Sequence, residues 1–78
     1  MPITELVTYL TKALVDDPDS VAVREVSGER SLIVEIGVAP DDIGKVIGRR
    51  GRIVQAIRTV AKAAAAREGR RVEVEIIE

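Results

Sequence analysis

The sixteen residues "IGKVIGRRGRIVQAIR", from Ile43 to Arg58, contain three glycines, five positive charges and no acidic residue. Apolar residues at helical spacing lie on both sides of the tetrapeptide 48–51 (Gly-Arg-Arg-Gly), so the pattern predicts two helices separated by a short loop. Glycine has an unusually free backbone, and without a Cβ atom it lets another molecule approach the main chain closely. The stretch therefore predicts a sharp turn that carries positive charge.

Outside this turn, the spacing of apolar residues predicts the remaining elements. They are a helix over residues 3–15, strands over Val21–Val26 and Leu32–Val38 joined by a loop at 27–29, helices over 41–47 and 52–67, and a strand over Val72–Ile76. Three amphipathic helices can cover one face of three short strands. A helical crossover precedes the last strand, which should therefore run parallel to one of the other two. We predict a single α+β domain over residues 1–78, in the order helix-strand-strand-helix-helix-strand, with a mixed three-stranded sheet covered on one face by the helices.

Composition limits the chemistry that this chain can perform. Its 78 residues include no His and no Cys, which excludes Ser-His and Cys-His nucleophile pairs and thiolate metal sites. The acidic residues are spread along the chain except around Pro18, where a solvated turn accounts for them. We predict that the protein is not an enzyme and that it has no metal site and no cofactor.

Targeting signals and membrane-spanning segments are not evident in the sequence. No run approaches the roughly 20 apolar residues that a transmembrane helix needs, and the N-terminus lacks the basic, apolar and small-residue regions of a signal peptide. We expect a cytoplasmic protein that does not associate with membranes.

The net charge of −1 conceals a segregation of charge along the chain. Residues 43–67 carry seven positive charges and no negative ones, and the other residues carry five positive and thirteen negative, a net of −8. Binding depends on the field at a surface patch rather than on the total charge. The basic segment therefore favours a polyanionic partner in spite of the acidic isoelectric point.

The Gly-Arg-Arg-Gly turn has two interpretations on its spacing alone. It is either a tight connection between helices with solvated arginines, or an anion site formed by guanidinium groups and the unpaired N–H groups that begin the next helix. A nucleotide-binding P-loop is disfavoured, because it follows a strand and ends in Gly-Lys-Ser/Thr. The glycines at positions 44, 48 and 51 do not match GxGxxG either.

The stretch "VIGRRGRIVQAI" resembles the Val-Ile-Gly-x-x-Gly-x-x-Ile core of the KH domain, with residues 48–51 in the position of its GxxG loop. The helix and strand that precede the motif resemble the type II arrangement of bacterial KH domains. From Leu6 to Ile76, the chain is similar to the bacterial KhpA family of small stand-alone KH proteins, with "VREVSGERSLIVEI" and "APDDIGKVIG" contributing to the likeness.

The resemblance implies binding of single-stranded RNA, as an RNA chaperone or post-transcriptional regulator with a role in cell-envelope homeostasis and in cell elongation and division. It implies a heteromer with a larger multidomain KH protein, KhpB, and leaves a homodimer open as a further state. The alternative is a KH-fold protein-interaction module with little direct RNA binding, and the two loop arginines count against it.

By position, the resemblance implies one set of RNA-binding residues: Lys45, Ile47, Gly48, Arg49, Arg50, Gly51, Arg52, Ile53, Arg70 and Arg71. Residues 68–71 correspond to the variable loop of the family, and Val74 joins Ile47 and Ile53 as either apolar groove surface or core. Arg58, Lys62 and Arg67 remain open between RNA contact and a solvated face. Tyr9 is the only aromatic residue, so we expect phosphate contacts, aliphatic packing, weak affinity and modest sequence preference.

Overall fold

The computed structural model describes residues 2–78 and has the predicted order of elements. The helices are α1 (Ile3–Leu14), α2 (Ile43–Ile47) and α3 (Arg52–Ala66), the strands are β1 (Ala22–Ser27), β2 (Ser31–Gly37) and β3 (Arg71–Ile77), and single 3-10 turns lie at Pro18–Ser20, Pro40–Asp42 and Arg49–Gly51. The prediction of an α+β fold with three helices and three strands is confirmed.

The three strands form one mixed sheet in the order β1-β2-β3. Strand β2 pairs antiparallel with β1 through a tight hairpin and parallel with β3, so that Val34 lies opposite both Glu25 and Val74. The parallel pair follows from the crossover through α2 and α3, which returns the chain to the end of the sheet where β2 began. Strand β3 is therefore an edge strand that directly follows the longest helix.

One face of the sheet is covered by the helices, as the alternation of apolar residues predicts. The core consists of Leu32, Val34, Ile36, Val72 and Val74 from the sheet and of Ile3, Val7, Val46, Ile57, Ala61 and Ala65 from the helices. The two alanines lie on the buried side of α3, where small side chains let a helix approach its neighbours closely. Val74 is part of this core, so of the two alternatives left open for it, groove surface or core, the structure selects the core.

Several boundaries differ from the prediction for local reasons. Helix α1 ends at Leu14 because Val15 already has an extended backbone, three residues before Pro18. The predicted helix over 41–47 begins as a 3-10 turn at Pro40, and only Ile43–Ile47 is α-helical. The hairpin turn lies at residues 28–30 because Ser27 pairs with Leu32 and the Gly28 N–H donates to the Ser31 carbonyl at 2.8 Å.

Candidate nucleic-acid interface

The turn at 48–51 has a backbone that only a glycine-rich sequence readily adopts. Gly48 has φ 77° and ψ 172°, and Gly51 has φ 72° and ψ 16°. Between them, Arg50 has φ 58°, a left-handed conformation that is uncommon for a residue with a side chain. The Gly51 N–H closes the turn by donating to the Gly48 carbonyl at 3.1 Å. The chain therefore reverses between α2 and α3 within four residues.

Gly48 is required by packing as well as by conformation. A Cβ atom at this position would lie 2.5 Å from Cγ1 and 2.8 Å from Cβ of Ile53. The Gly48 N–H donates to the Gly44 carbonyl at 2.9 Å and ends α2. The turn is thus fixed at one end by the last bond of α2 and at the other by the first turn of α3.

The arginines of the turn are directed into solvent. Arg49, Arg50 and Arg52 are exposed, and within residues 2–78 none of the three forms an ion pair or a side-chain hydrogen bond. Within residues 2–78 the start of α3 has no side-chain cap, and the Arg52 N–H donates to the Arg49 carbonyl, so the donors without a side-chain partner are the N–H groups that follow it in the first turn. Guanidinium groups and helix N–H groups here present several donors on one exposed surface, an arrangement suited to a phosphate.

Lys45 lies one turn before the loop, but its charge is already paired. Its Nζ atom is 3.0 Å from Oδ2 of Asp16 and 3.5 Å from Oδ1 of Asp42. The hydrogen bond to Asp16 and the charge of that carboxylate raise the pKa of Lys45, and Asp42 adds to the effect. This lysine therefore differs from the loop arginines, which have no acidic partner in the part of the chain that the structure describes.

Asp42 is a buried carboxylate that the sequence did not single out. Its Oδ1 and Oδ2 accept hydrogen bonds from the backbone N–H groups of Asp16 and Asp17, at 3.2 and 3.0 Å. Burial raises its pKa, but the two N–H groups and the ion pair with Lys45 outweigh burial and leave the pKa below its usual value. The Asp42 carboxylate therefore links the turn after α1 to the start of α2, the helix that precedes the loop.

Arg58 is held against the edge strand rather than lying free on a solvated helix face. Its Nε and Nη2 atoms donate to the Val74 carbonyl at 3.3 and 3.2 Å. The direction of the β3 backbone is set at Arg71, whose N–H donates to the Arg30 carbonyl on the side of β2. Because successive residues of a strand alternate their backbone direction, the Val74 carbonyl faces the open edge. Arg58 and Lys62 line a shallow depression of about 300 Å³ along this edge.

Arg70 and Arg71 lie far from the other predicted site residues. Helix α3 separates the loop from them, a span of about 20 Å at 1.5 Å per residue. Arg70 donates to Oγ of Ser27 at 3.3 Å, beside the β1–β2 hairpin. Arg71 is the first residue of β3 rather than part of a loop, and strand alternation places its side chain on the sheet face opposite the helices. The assignment of residues 68–71 to one loop is therefore wrong at Arg71.

The two isoleucines beside the loop are half-buried. Ile47 precedes Gly48, and Ile53 packs against it. Ile53 also lines an apolar groove of about 360 Å³ between α1 and α3, with Leu10, Ala13, Leu14, Arg52, Ala56, Ile57 and Val60. Val60 is 42% exposed on this groove, and Tyr9 on α1 is 68% exposed. This apolar groove is a second surface of the molecule, chemically unlike the charged loop.

The predicted site residues thus form two groups. Lys45 to Ile53 surround the loop, and Arg70 and Arg71 lie at the other end of α3. Asp16 was not predicted as a neighbour of Lys45 because 29 residues separate the two in sequence. Asp42 was missed as well, although its i,i+3 spacing from Lys45 is a signal that could have indicated the contact. Within residues 2–78, no helix is long and apolar enough to span a membrane.

Comparison with known proteins identifies similar chains over almost the full length. The model of the family described as KhpA/KhpB, KH domain matches residues 4–76. RNA-binding protein KhpA of Caldanaerobacter subterraneus subsp. tengcongensis is 62% identical over 73 residues, which cover 94% of this chain and 97% of that protein. RNA-binding protein KhpA of Clostridium acetobutylicum is 60% identical with the same coverage.

A solved structure shares the fold at lower sequence identity. It is Era in complex with MgGDPNP and nucleotides 1506–1542 of 16S ribosomal RNA, with a TM-score of 0.67 and 24% identity. The match covers 97% of this chain but only 30% of the Era chain. At this identity the likeness shows the fold alone.

Proposed function

The chain belongs to the KhpA/KhpB KH-domain family, and from this premise we propose that it binds single-stranded RNA through the loop Gly48–Gly51 and catalyses no reaction. One observation carries the proposal: among residues 2–78, Arg49 and Arg50 of the loop have no acidic partner, and they lie directly before the N-terminus of α3, which has no side-chain cap. Relatives that are 62 and 60% identical are named RNA-binding proteins. Both facts support an RNA-binding role.

The RNA strand that we propose would be held mainly by its phosphates at the loop. The groups available are the side chains of Arg49, Arg50 and Arg52 and the N–H groups that follow Arg52 in the first turn of α3. A GxxG loop of a KH domain clamps about four nucleotides. From the loop, the strand would continue along the open edge of β3, past Lys62 and past Arg58, whose guanidinium group is already bonded to the Val74 carbonyl. Glu73 and Glu75 on the same strand oppose a long electrostatic track.

The dependence of affinity on salt tests this local clamp. If two to four phosphates are neutralised, the slope of log K against log salt on a short single strand should be about −1.4 to −2.8, at −0.7 per phosphate. If Arg58, Lys62, Arg67, Arg70 and Arg71 also bind phosphates, the slope should be about −4 or steeper. We expect the shallow slope, because Arg70 and Arg71 lie at the far end of α3 and the rest of the chain is acidic. Affinity measured by fluorescence anisotropy across salt concentrations decides between the two, and the steep slope would contradict a local clamp.

The family resemblance further supports a cytoplasmic post-transcriptional role, as an RNA chaperone that acts with a KhpB-type protein in cell-envelope homeostasis and cell elongation. A single loop clamp binds weakly, and joining two weak sites raises avidity through their effective concentration. The heteromer should therefore bind one oligonucleotide more tightly than this chain alone.

A protein-interaction role is favoured by one observation, the apolar groove between α1 and α3. Among residues 2–78, Arg52 is its one charged lining residue, and Val60, which is 42% exposed, also lines it. A surface patch with an apolar centre and few charged residues is characteristic of the centre of protein interfaces. We assign this groove to a KH domain of the KhpB type, and interaction through it is compatible with RNA binding at the loop.

Val60→Asp should disrupt this association by at least about tenfold, because a carboxylate would be desolvated in an apolar interface. RNA binding by the isolated chain should remain unchanged. Thr59→Asp is the matched control, since it adds the same charge at an exposed neighbouring position. Isothermal titration with the KhpB-type protein and sedimentation of the chain alone measure the hetero- and homomeric states. Equal effects of the two substitutions would contradict the assignment of the groove.

A further inference from the structure

Lys45, Asp16 and Asp42 form a network beside the loop that the proposed function does not use. Asp42 is buried and holds the backbone of Asp16 and Asp17 through its two carboxylate oxygens. The side chain of Asp16 is 80% exposed, and its Oδ2 lies 3.0 Å from Nζ of Lys45. The position of Asp16 is thus fixed through its backbone, while its carboxylate is presented to the lysine.

This arrangement distinguishes the pair from an ordinary surface ion pair. An exposed ion pair is weak partly because two free side chains must be ordered to form it. Here the main chain that carries Asp16 is already anchored to Asp42, so fewer degrees of freedom are lost. Lys45 is also drawn toward the α1–β1 turn by both acids at once. The three side chains together carry a net charge of −1.

The network lies where that charge affects the proposed RNA site. Lys45 is in α2, three residues before Gly48, so less than one helical turn separates it from the loop. When Lys45 pairs with Asp16, the two charges offset each other near the loop. Asp42 then leaves the three side chains with a net negative charge. With RNA held at the loop, a phosphate and the exposed Asp16 carboxylate would compete for this ammonium group.

We propose that Asp16 limits the affinity of the chain for RNA by holding Lys45 away from the strand, so that the domain binds fewer phosphates than its sequence offers. This inference rests on the proposed RNA binding at the loop. It makes Asp16 a determinant of affinity although it is acidic, exposed and 32 residues before the loop.

Asp16→Asn tests the inference on the full chain with a short single-stranded RNA. The substitution should tighten binding about two- to fivefold, the range that corresponds to an exposed ion pair, and steepen the salt slope by about 0.7 because one more phosphate is contacted. Asp19→Asn, which removes the same charge from the same turn, should change affinity less than twofold. In residues 2–78 the Asp19 side chain has no hydrogen-bond or ion-pair partner.

Lys45→Gln tests whether the effect of Asp16→Asn on RNA affinity acts through the lysine. Alone, it leaves Asp16 and Asp42 without their counter-ion and should weaken binding by less than fivefold, because the lysine is paired in the wild type. Combined with Asp16→Asn, it should remove the gain in affinity and in salt slope. A similar result for Asp16→Asn and Asp19→Asn would overturn the inference, and so would a loss of more than fivefold for Lys45→Gln alone. Thermal unfolding followed by circular dichroism should be unchanged for Asp16→Asn and Asp19→Asn, whose side chains are exposed, and the midpoint should fall for the variants that remove Lys45, the ion-pair partner of buried Asp42.

The loop variant Arg49→Asp/Arg50→Asp, measured in parallel, keeps this inference separate from the proposed function. If that variant does not bind and Asp16→Asn behaves like its control, only the inference fails. If the loop variant binds as well as the wild type, the proposed clamp fails. A wild-type chain that binds no single-stranded RNA at low salt would overturn both.

Discussion

Replacing Arg49 and Arg50 with aspartate is expected to abolish binding of single-stranded RNA while the chain remains folded. Hydrogen bonds to charged groups contribute about 1.5–3 kcal/mol each, so losing two of them corresponds to at least about a 100-fold loss of affinity. The new carboxylates would repel phosphate in addition. Aspartate suits position 50 because it tolerates the left-handed backbone that Arg50 adopts, at φ 58°.

The matched control replaces Arg30 and Arg67, two exposed arginines away from the loop, with aspartate. The change in net charge is the same, so the control measures the general electrostatic effect alone. Anisotropy titrations of both variants against one oligonucleotide give the comparison, and circular dichroism monitors folding. If the loop variant binds like the control, the loop is not the clamp. If only the loop variant unfolds, the arginines have a structural role.

The fold could be predicted from the sequence because its determinants are local. Alternation in Leu32–Ile36 and Val72–Ile76 reports which side of each strand is buried, and helical spacing in α1 and α3 reports the faces that cover the sheet. The parallel pairing of β2 and β3 follows from the intervening helices. Patterns of this kind depend on neighbours in sequence and therefore need no knowledge of tertiary contacts.

The environment of the candidate site could be predicted only in part. The Gly-Arg-Arg-Gly motif marks the loop, because its backbone requirement is expressed in glycine. The partners of Lys45 and of Arg58 were not predictable, since one is a carboxylate in the turn after α1 and the other is a main-chain carbonyl, which every residue possesses. Val74 could not be assigned either, because apolar groove surface and core have the same composition.

Gly48→Ala is expected to destabilise the domain by about 2–5 kcal/mol, a large part of the stability of so small a protein. The backbone at φ 77° and ψ 172° lies in a region that is essentially restricted to glycine. The added methyl group would also lie 2.5 Å from Cγ1 of Ile53, and the rest of that side chain is almost as close. Relief would require the first turn of α3 to move away from α2, which would open the loop.

Gly44→Ala supplies the control because it makes the same chemical change one helical turn earlier. Its Cβ would have no atom within 4 Å, and the backbone is helical, so stability should stay constant or rise by up to about 1 kcal/mol. Urea unfolding of both variants tests the difference, with a lower midpoint expected for Gly48→Ala alone. Equal midpoints would mean that the contact between Gly48 and Ile53 does not fix the loop. A destabilised Gly48→Ala that also loses RNA binding when still folded would show that the donors of the loop act only in this one geometry.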